Sequence, residues 1–354
     1  MRSRGTVGLD IGTSAARAAE LGHARSGPVL RRFGQVALPP GAVRDGEVVD
    51  VDAVAQALRQ LWQWTGFTAK RVVLGVASPR VVVRQVDLPW MPDDELRTSL
   101  PLQVQDVLPM PVENALLDFH RLEELTDEEG RRVVRILLVA APRDMVASML
   151  AAVTRVGLRP VGVDLTAFAV LRALAWVDRP VLPEARTEAL LDVGARTTNL
   201  VVHQSGVPRF VRILPFGGAD VTDAVADRLG VPLDQAEAVK LATALPAPGA
   251  AGTATESRVM DQISDAFVDE VRGSLEYYAS RPGAARVERL LLTGGGGLLD
   301  GLADRLAAST RLPVLPGAVF AHLATGGTGL TADQLRQAEP VAAVPVGLAL
   351  GVAS

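Results

Sequence analysis

The order of apolar and polar residues in the first eighty positions predicts three β-strands, a helix and a further strand. VGLDIG, ARAAELG and PVLRRFGQVALP are largely apolar or alternating segments bounded by glycine or proline, as expected for strands joined by turns. RVVLGVAS is a β-branched run typical of a buried strand. Between them, one face of a predicted helix carries Val51, Val54, Leu58, Leu61 and Trp62.

A different pattern between about 81 and 157 predicts a small α+β subdomain inserted into this first unit. The strand VVVRQVDLP leads to a helix that begins near Asp93, and Pro101 should kink or stop that helix. Two strands follow, LLDFHRLEEL and RRVVRILLVAA. An amphipathic helix then closes the block, with apolar positions at Met145, Met149, Val153 and Val156.

The rest of the chain predicts a second unit that opens like the first. LRPVGVD predicts a strand and 165–177 a helix, and the proline-rich RPVLPEAR marks a boundary between two lobes, 1–185 and 186–354. Three strands recur in EALLDVG, TTNLVVHQ and PRFVRILP, and ERLLLT runs into a glycine-rich turn. We expect helices at about 217–229, 233–244 and 255–281, a helical subdomain at about 230–285, a loop at 325–337 and an apolar helix at 341–352.

Composition excludes several classes of function. The 354 residues carry 40 acidic and 36 basic side chains, a net charge of −4, so no global positive field attracts nucleic acid or anionic lipid. The absence of cysteine excludes disulfides, zinc–thiolate sites and cysteine nucleophiles. The longest apolar run, Val341–Ala353, is shorter than the roughly 20 residues of a membrane-spanning helix. We expect a soluble cytoplasmic protein without direct membrane insertion.

An internal repeat carries the candidate chemistry. VGLDIGTSAARAAEL and ALLDVGARTTNLVVH align Asp10 with Asp192, and each reads as a strand, an aspartate, a glycine turn and a second strand. A glycine-rich turn exposes backbone N–H groups that suit phosphate oxygens. An aspartate at the end of the strand can hold Mg²⁺, usually through water. Two copies about 180 residues apart favour a phosphate site over two ordinary hairpins.

Two weaker motifs leave alternatives open. The turn Gly294–Gly297 directly follows the strand RLLLT, and its glycines would let a flat ring approach the backbone; a plain strand-to-helix turn fits equally well. Glu237 and Lys240 lie three residues apart on one helix face, where they could reach a ribose and a base. Such a pair is more often a solvated surface pair.

GLDIGTSAARA, LLDVGARTTNL and LLLTGGGGLLDGL resemble the two phosphate motifs and the adenosine motif of the actin-like ATPase superfamily. The resemblance implies an α/β, actin-like two-lobed ATPase fold of duplicated ribonuclease H-like domains, with the α+β subdomain inserted in the first lobe. It also implies that a C-terminal helix at about 340–352 packs back towards the first lobe, and that ATP and Mg²⁺ bind between the lobes.

The resemblance assigns roles to individual positions. Asp10 and Asp192 would place Mg²⁺, probably through water as in other magnesium sites, and Arg17 stands where the family usually has lysine, pointing at a phosphate. Gly217 and Gly218 match the segment that connects the lobes. The complete set implied for ATP is Asp10, Gly12, Thr13, Ser14, Arg17, Asp192, Gly194, Thr197, Thr198, Gly217, Gly218, Glu237, Lys240, Gly294, Gly295 and Gly296.

Across residues 5–352 the chain resembles the PilM family of type IV pilus assembly proteins. The likeness lies in LPWMPDDELRTSLPLQVQDVLPMPVENALLDFHRLEE, VGLRPVGVDLTAFAVLRAL, FVRILPFGGADVTDAVADRLGV and VGLALG. It implies a cytoplasmic scaffold that captures the N-terminal peptide of PilN, an inner-membrane protein, and links it to the motor complex. Such a protein is peripheral to the inner membrane through its partner. Contacts with motor ATPases or platform components, and self-association, stay open.

The family's peptide groove lies where the inserted subdomain meets the first lobe. Here that involves about Leu88 to Leu122, with Trp90, Met91, Met110 and Phe119 as candidate apolar contacts. A core role is the alternative for each of them. The peptide could add along a strand edge or fill an apolar groove.

Ala195 and Arg196 stand where vigorous hydrolases of the superfamily often have consecutive glycines. We therefore expect ATP binding with slow or no intrinsic turnover, and no catalytic residue is assigned. Two other functions share the cleft. An FtsA-like cell-division ATPase usually ends in a basic amphipathic helix, whereas this chain has no basic residue after Arg336. A small-molecule kinase needs a base for the acceptor hydroxyl, and no motif singles one out.

Overall fold

Fifteen strands and ten α-helices lie within the residues that the computed structural model describes, 5–25, 27–175, 186–244 and 254–351. The strands are β1 Thr6–Ile11, β2 Ala15–Ala24, β3 Gly27–Ala37, β4 Val43–Arg44, β5 Glu47–Val48, β6 Arg71–Val76, β7 Val82–Pro89, β8 Ala115–Thr126, β9 Arg132–Pro142, β10 Arg159–Leu165, β11 Thr187–Val193, β12 Thr198–Gln204, β13 Val207–Leu214, β14 Arg289–Thr293 and β15 Val314–Pro316. The helices are α1 Val51–Thr65, α2 Asp93–Gln103, α3 Arg143–Arg155, α4 Thr166–Leu174, α5 Gly218–Leu229, α6 Leu233–Ala244, α7 Ala254–Ala279, α8 Leu302–Thr310, α9 Ala332–Ala338 and α10 Ala343–Leu350.

Two five-stranded sheets share one plan. The first has the order β10-β6-β1-β2-β3 and the second β13-β12-β11-β14-β15. In each, three consecutive strands form an antiparallel meander, and a later strand adds parallel to the first of them. The register places Asp10 opposite Arg17 in the first sheet and Asp192 opposite Asn199 in the second. The repeat seen in the sequence is therefore a repeat in three dimensions.

Both ends of the chain build the core of the first lobe. Helix α1 begins where the carboxylate of Asp50 accepts the N–H of Ala53 at 2.9 Å, and it ends at Gly66 in the left-handed conformation. Its stripe of Val54, Leu58 and Leu61 is buried against the sheet. Helix α10, from the end of the chain, packs on α4, β1, β2 and β6.

The inserted subdomain is a three-stranded antiparallel sheet, β7-β9-β8, with α2 on one face. Leu96 and Leu100 of α2 pack on Ile136 and Leu138 of β9. The edge strand β7 contacts β13 of the second sheet. There the side chain amide of Gln85 donates to the carbonyl of Arg209 at 2.9 Å, and Arg281 donates to Gln85. The insertion thus touches both lobes.

Helix α3 packs on the first lobe. The sequence places it in the predicted insertion at about 81–157, whereas in the structure it contacts α1 and β10, and Met145, Met149 and Val153 enter the core of the first lobe. Its apolar stripe is real, yet a stripe does not tell which sheet it covers. The inserted sheet and helix α2 lie within 82–142, and the limits of the insertion stay a prediction.

The structure corrects the prediction of a loop at 325–337, because helix α9 begins there at Ala332. The hydroxyl of Thr331 accepts the N–H of Gln334 at 3.2 Å, and the Gln334 side chain accepts the N–H of Thr331 at 2.9 Å. This reciprocal cap was present in the sequence as Thr-x-x-Gln. Helix α4 spans Thr166–Leu174, and residues 176–177 of the helix predicted for 165–177 lie outside the described residues.

Part of the organisation stays a prediction. The connector RPVLPEAR, apart from its last residue, and most of the LPAPGAAGTATE segment lie outside the described residues. The division into lobes 1–185 and 186–354 and the helical subdomain at about 230–285 are therefore still expectations. Within the described ranges, none of the helices has both the length and the apolarity needed to cross a membrane.

The close contact between α10 and α4 predicts that one methyl group added at Gly347 lowers the stability of the fold. A Cβ added at Gly347 would lie 1.8 Å from the carbonyl oxygen of Ala169, so Gly347→Ala must separate two buried helices. We expect a loss of about 1–3 kcal/mol in the free energy of unfolding, measured by urea denaturation.

The matched control is Gly273→Ala in α7, where nothing lies within 4 Å of the added Cβ. Helix propensity alone should then stabilise the protein by about 0.5–1 kcal/mol. Equal effects of the two substitutions would contradict the close approach of α10 and α4.

Candidate functional site

A cleft of about 640 Å³ lies between the two sheets and takes its walls from both halves of the chain. The β1–β2 and β11–β12 turns face it, and α5, α6 and the turn after β14 close one side. It brings together all the residues predicted for ATP except Thr198 and Gly217: Asp10, Gly12, Thr13, Ser14, Arg17, Asp192, Gly194, Thr197, Gly218, Glu237, Lys240, Gly294, Gly295 and Gly296.

The first turn, Gly12–Ser14, is held by backbone hydrogen bonds. The N–H of Gly12 donates to the carbonyl of Ala15 at 3.0 Å, and the carbonyl of Ser14 accepts the N–H of Leu38 at 2.9 Å. The Ser14 residue is exposed at the mouth of the cleft. Short side chains thus leave backbone and hydroxyl groups accessible to a ligand.

The second turn is fixed to the start of α5. The carbonyl of Gly194 accepts the N–H of Gly218 at 2.9 Å, and that of Ala195 accepts the N–H of Ala219 at 2.7 Å. A Cβ at Gly217 would lie 2.4 Å from the carbonyl carbon of Ala195, so this approach requires glycine. Gly217 therefore shapes the wall without lining the cleft.

Thr198 also supports the wall from behind. It is fully buried, and its hydroxyl donates to the carbonyl of Phe216 at 2.8 Å. Arg196 turns towards α5 instead, where its guanidinium donates to Asp220 at 2.9 Å and to Asp223 at 2.5 Å. The arginine that replaces a glycine in this turn is thus paired with carboxylates outside the cleft lining.

The third turn, which follows β14, requires glycine at Gly294 and Gly296. Gly294 has φ +89°, and its N–H donates to the carbonyl of Pro340 at 2.7 Å. A Cβ at Gly296 would lie 2.6 Å from Cγ1 of Val193 and 3.2 Å from the nitrogen of Gly218. The second and third turns therefore meet at the start of α5.

Glu237 and Lys240 are not a solvated surface pair. Nζ of Lys240 lies 2.6 Å from the Glu237 carboxylate, and it donates to the carbonyl of Gly218 at 2.9 Å and to Oγ1 of Thr222 at 2.8 Å. The Lys240 side chain is only 11% exposed. These contacts fix the pair between α6 and the first turn of α5, inside the cleft wall.

Asp10 and Asp192 both face the cleft, and neighbouring groups compensate their negative charges only in part. Burial raises the pKa of Asp10 to about 6; the nearby Arg17 opposes this rise and the Asp192 charge adds to it. Burial also raises the pKa of Asp192, and a hydrogen bond from Asn199 and the charge of Arg17 oppose it. Among the residues that the structure describes, the cation paired with Asp10 is Arg17, whose Nη1 lies 3.8 Å from its carboxylate.

These residues fit a metal–nucleotide ligand. Asp10 and Asp192 are two buried carboxylates that a cation would stabilise, and Nε of Arg17 is buried without a hydrogen-bond partner. Among the described residues, no group of three or more acidic or histidine side chains could by itself hold a metal ion. Mg²⁺ would therefore depend on water and on ligand oxygens, as it does in most nucleotide sites.

Sequence reasoning missed two polar residues at the base of the cleft. The amide nitrogen of Asn199 donates to Asp192 at 3.1 Å, and the hydroxyl of Thr166, on α4, donates to the amide oxygen of Asn199 at 3.0 Å. The repeat contained a signal for Asn199, since it aligns with Arg17. No motif marked Thr166. Two exposed leucines at the mouth, Leu241 and Leu298, were also missed.

Two of the candidate peptide contacts, Met91 and Phe119, lie on the α2 side of the inserted sheet. Met91 and Phe119 pack against the subdomain's own core on the α2 side, Trp90 stacks under Arg132 at 4.1 Å, and Met110 lies in the segment after α2. Side chains alternate along a strand, so β8 presents Leu116 and His120 on the face opposite Phe119.

That opposite face meets the first lobe. The ring of His120 lies 6.3 Å from that of Phe168 on α4. Directly before α4, the edge strand β10 exposes Val161 and Val163, at 40% and 39%, and Leu116 is 37% exposed. We define the apolar groove as Leu116, His120, Val161, Val163 and Phe168.

The chain is similar to solved structures of the actin-like ATPase fold. It superposes on a PilM-PilN type IV pilus biogenesis complex with a TM-score of 0.87 and 28% identity, over 100% of both chains. MreB5 of Spiroplasma citri bound to ADP gives a TM-score of 0.56 and 13% identity, over 98% of this chain and 95% of that one. The predicted α/β, two-lobed actin-like fold is confirmed.

Relatives and a family model are found by sequence. Cell division protein FtsA of Neisseria meningitidis is 24% identical over 351 residues, 88% of this chain and 83% of that protein. Other FtsA sequences are matched over 55% to 59% of their length. A family model described as type IV pilus assembly protein PilM matches residues 8–352. Because that match spans nearly the whole chain, the protein belongs to the PilM family of type IV pilus assembly proteins.

Proposed function

We propose that this protein is an ATP-binding cytoplasmic scaffold of a type IV pilus assembly machine, which binds the cytoplasmic N-terminal peptide of a PilN-like inner-membrane protein. The observation that carries the proposal is the cleft in which two equivalent aspartate hairpins and a glycine turn converge. Its PilM family membership and its likeness to a PilM-PilN complex support the pilus assignment.

ATP would lie in the cleft with its phosphates between the two hairpin turns. Gly12, Thr13 and Ser14 would donate from one side and Gly194 and Thr197 from the other. Mg²⁺, when bound, would neutralise phosphate charge next to Asp10 and Asp192. Glu237 and Lys240 would contact the ribose and base, while Leu241 and Leu298 offer apolar surface to the ring. The likeness to MreB5 of Spiroplasma citri bound to ADP supports nucleotide binding.

Slow turnover, or none, belongs to the same proposal. Hydrolysis needs a group that orients the attacking water against the terminal phosphate. The second phosphate turn carries Ala195 and Arg196, and Arg196 is held by Asp220 and Asp223 on α5. Titration with Mg-ATP while phosphate release is followed tests this: one-to-one binding with negligible release is expected, and rapid release would contradict it.

The PilN-like peptide would bind in the apolar groove. β10 lies at the edge of its sheet, so an extended peptide could add to it while apolar side chains fill the space towards β8. Leu116, Val161 and Val163 supply exposed apolar surface there. The scaffold would thereby be held at the cytoplasmic side of the inner membrane. Contact with motor ATPases or platform components would complete the link.

Asp10→Asn should stabilise the ligand-free protein and weaken Mg-ATP binding. The raised pKa of Asp10 means that the folded state disfavours its charge, so stability falls as pH rises from about 4 to about 6 and stays low above that. At pH 8 we expect a gain on the order of 2 kcal/mol, which shrinks below pH 6. Thermal denaturation from pH 4 to pH 8 measures it.

Calorimetry of the same Asp10→Asn protein should show at least a tenfold loss of Mg-ATP affinity. Asp106→Asn, at an exposed position on the inserted subdomain, is the control and should change neither quantity. A destabilised Asp10→Asn protein, or one that binds Mg-ATP like the wild type, would contradict the assignment of a buried, metal-facing carboxylate.

Val163→Asp should weaken binding of a synthetic PilN-type N-terminal peptide at least tenfold, because it places a charge in the apolar groove. Fluorescence anisotropy of the labelled peptide measures the affinity. Val49→Asp, at a valine that is 57% exposed elsewhere on the first lobe, is the matched control. If Val163→Asp bound the peptide like the wild type and Trp90→Ala bound it more weakly, the peptide site would instead lie on the α2 side of the inserted sheet.

A further inference from the structure

A chain of two hydrogen bonds crosses the base of the cleft from one lobe to the other. The hydroxyl of Thr166 donates to Oδ1 of Asn199 at 3.0 Å, and Nδ2 of Asn199 donates to the carboxylate of Asp192 at 3.1 Å. Thr166 is the first residue of α4 in the first lobe, whereas Asn199 and Asp192 lie opposite each other on β12 and β11. All three are buried.

The side-chain amide of Asn199 needs a hydrogen-bond donor for its oxygen, and Thr166 provides one. An ionised carboxylate only accepts hydrogen bonds, so Asn199 must present its NH₂ group to Asp192. Its oxygen then faces away and needs a donor, which the hydroxyl of Thr166 supplies. In the reverse orientation, the amide oxygen would face the carboxylate and two acceptors would repel each other. The carboxylate of Asp192 thus fixes which end of the amide faces it, and the hydroxyl of Thr166 supplies the donor without which the buried amide oxygen would be unsatisfied.

The two lobes differ in how they hold their aspartates. Asp10 has Arg17 at the register position opposite it, and this residue carries its own positive charge. Asp192 has the neutral Asn199 at the equivalent position. That amide stabilises the second carboxylate only while its NH₂ group faces Asp192, and the donor that then satisfies its oxygen comes from the other lobe. The site at Asp192 is thus complete only when α4 lies against the second sheet, as it does here.

We propose that Thr166 and Asn199 are positioning residues that make the metal-dependent part of nucleotide binding depend on the apposition of the two lobes. The inference rests on the proposed nucleotide function and assigns its regulation. The inference divides the affinity for nucleotide into a metal-dependent and a metal-independent contribution. The metal-dependent gain needs an ordered, ionised Asp192, whereas contacts of the phosphates and base with the glycine turns do not.

The test is calorimetric titration with ADP, once with Mg²⁺ and once with EDTA. In Thr166→Val, which removes the hydroxyl and keeps the shape, we expect the ratio of the two affinities to fall at least fivefold, with less than a twofold change in EDTA. Thr166→Ser should restore the ratio to within twofold of wild type. Thr187→Val, at a buried threonine at the opposite end of β11 from Asp192, should leave it unchanged.

An unchanged ratio in Thr166→Val would overturn the inference, and so would an equal loss with and without Mg²⁺, which indicates altered lobe packing alone. Wild-type protein that binds no ADP would refute the proposed nucleotide function instead. The inference is then decided on the ligand-free protein by a double-mutant cycle of Thr166→Val and Asp192→Asn. Non-additive shifts in melting temperature support the relay, and additive shifts overturn it.

Discussion

The burial of two carboxylates in one cleft is the constraint on which the rest of the site depends. Asp10 and Asp192 lie near the ends of the central strands of two equivalent sheets and face the same space, where burial opposes the ionisation of both and the charge of Asp192 adds to this effect at Asp10. A protein that only needed stability would replace such a pair with neutral residues, because buried charges are costly unless they are compensated. Here compensation from Arg17 and Asn199 is partial, so a bound cation would supply what the fold leaves out.

The duplicated plan explains both the likeness and the difference between the halves of the site. The same meander places an aspartate and its register partner at the mouth of each hairpin. In one half, that partner is a cation that reaches the carboxylate at 3.8 Å, and in the other it is an amide whose oxygen accepts a hydrogen bond from Thr166. At equivalent positions of the two sheets, a carboxylate is thus stabilised by a cation in one half and by an amide in the other.

Sequence reasoning identified what local patterns encode and missed what depends on packing partners. The two aspartate hairpins and the glycine turn were recognisable because each is a short local pattern of residue types, and at Gly294 the positive φ requires glycine. Thr166 could not be found, since its role comes from contact with a strand of the other lobe. The sequence left Phe119 open between core and groove for a related reason. The alternation along β8 is visible in the sequence, but the face that α2 covers is not.

Helix α4 lies between the two sites that define the proposed function. Its first residue, Thr166, supports the second carboxylate of the cleft, and two residues later the ring of Phe168 meets His120 at the apolar groove. The helix also packs on β11, β12 and β13, while the inserted sheet touches β13 through Gln85. A ligand that contacts both lobes would therefore bind next to a helix that packs against both sheets. Under the proposed function, cleft and groove share this helix, so coupling between them would need no long chain of contacts.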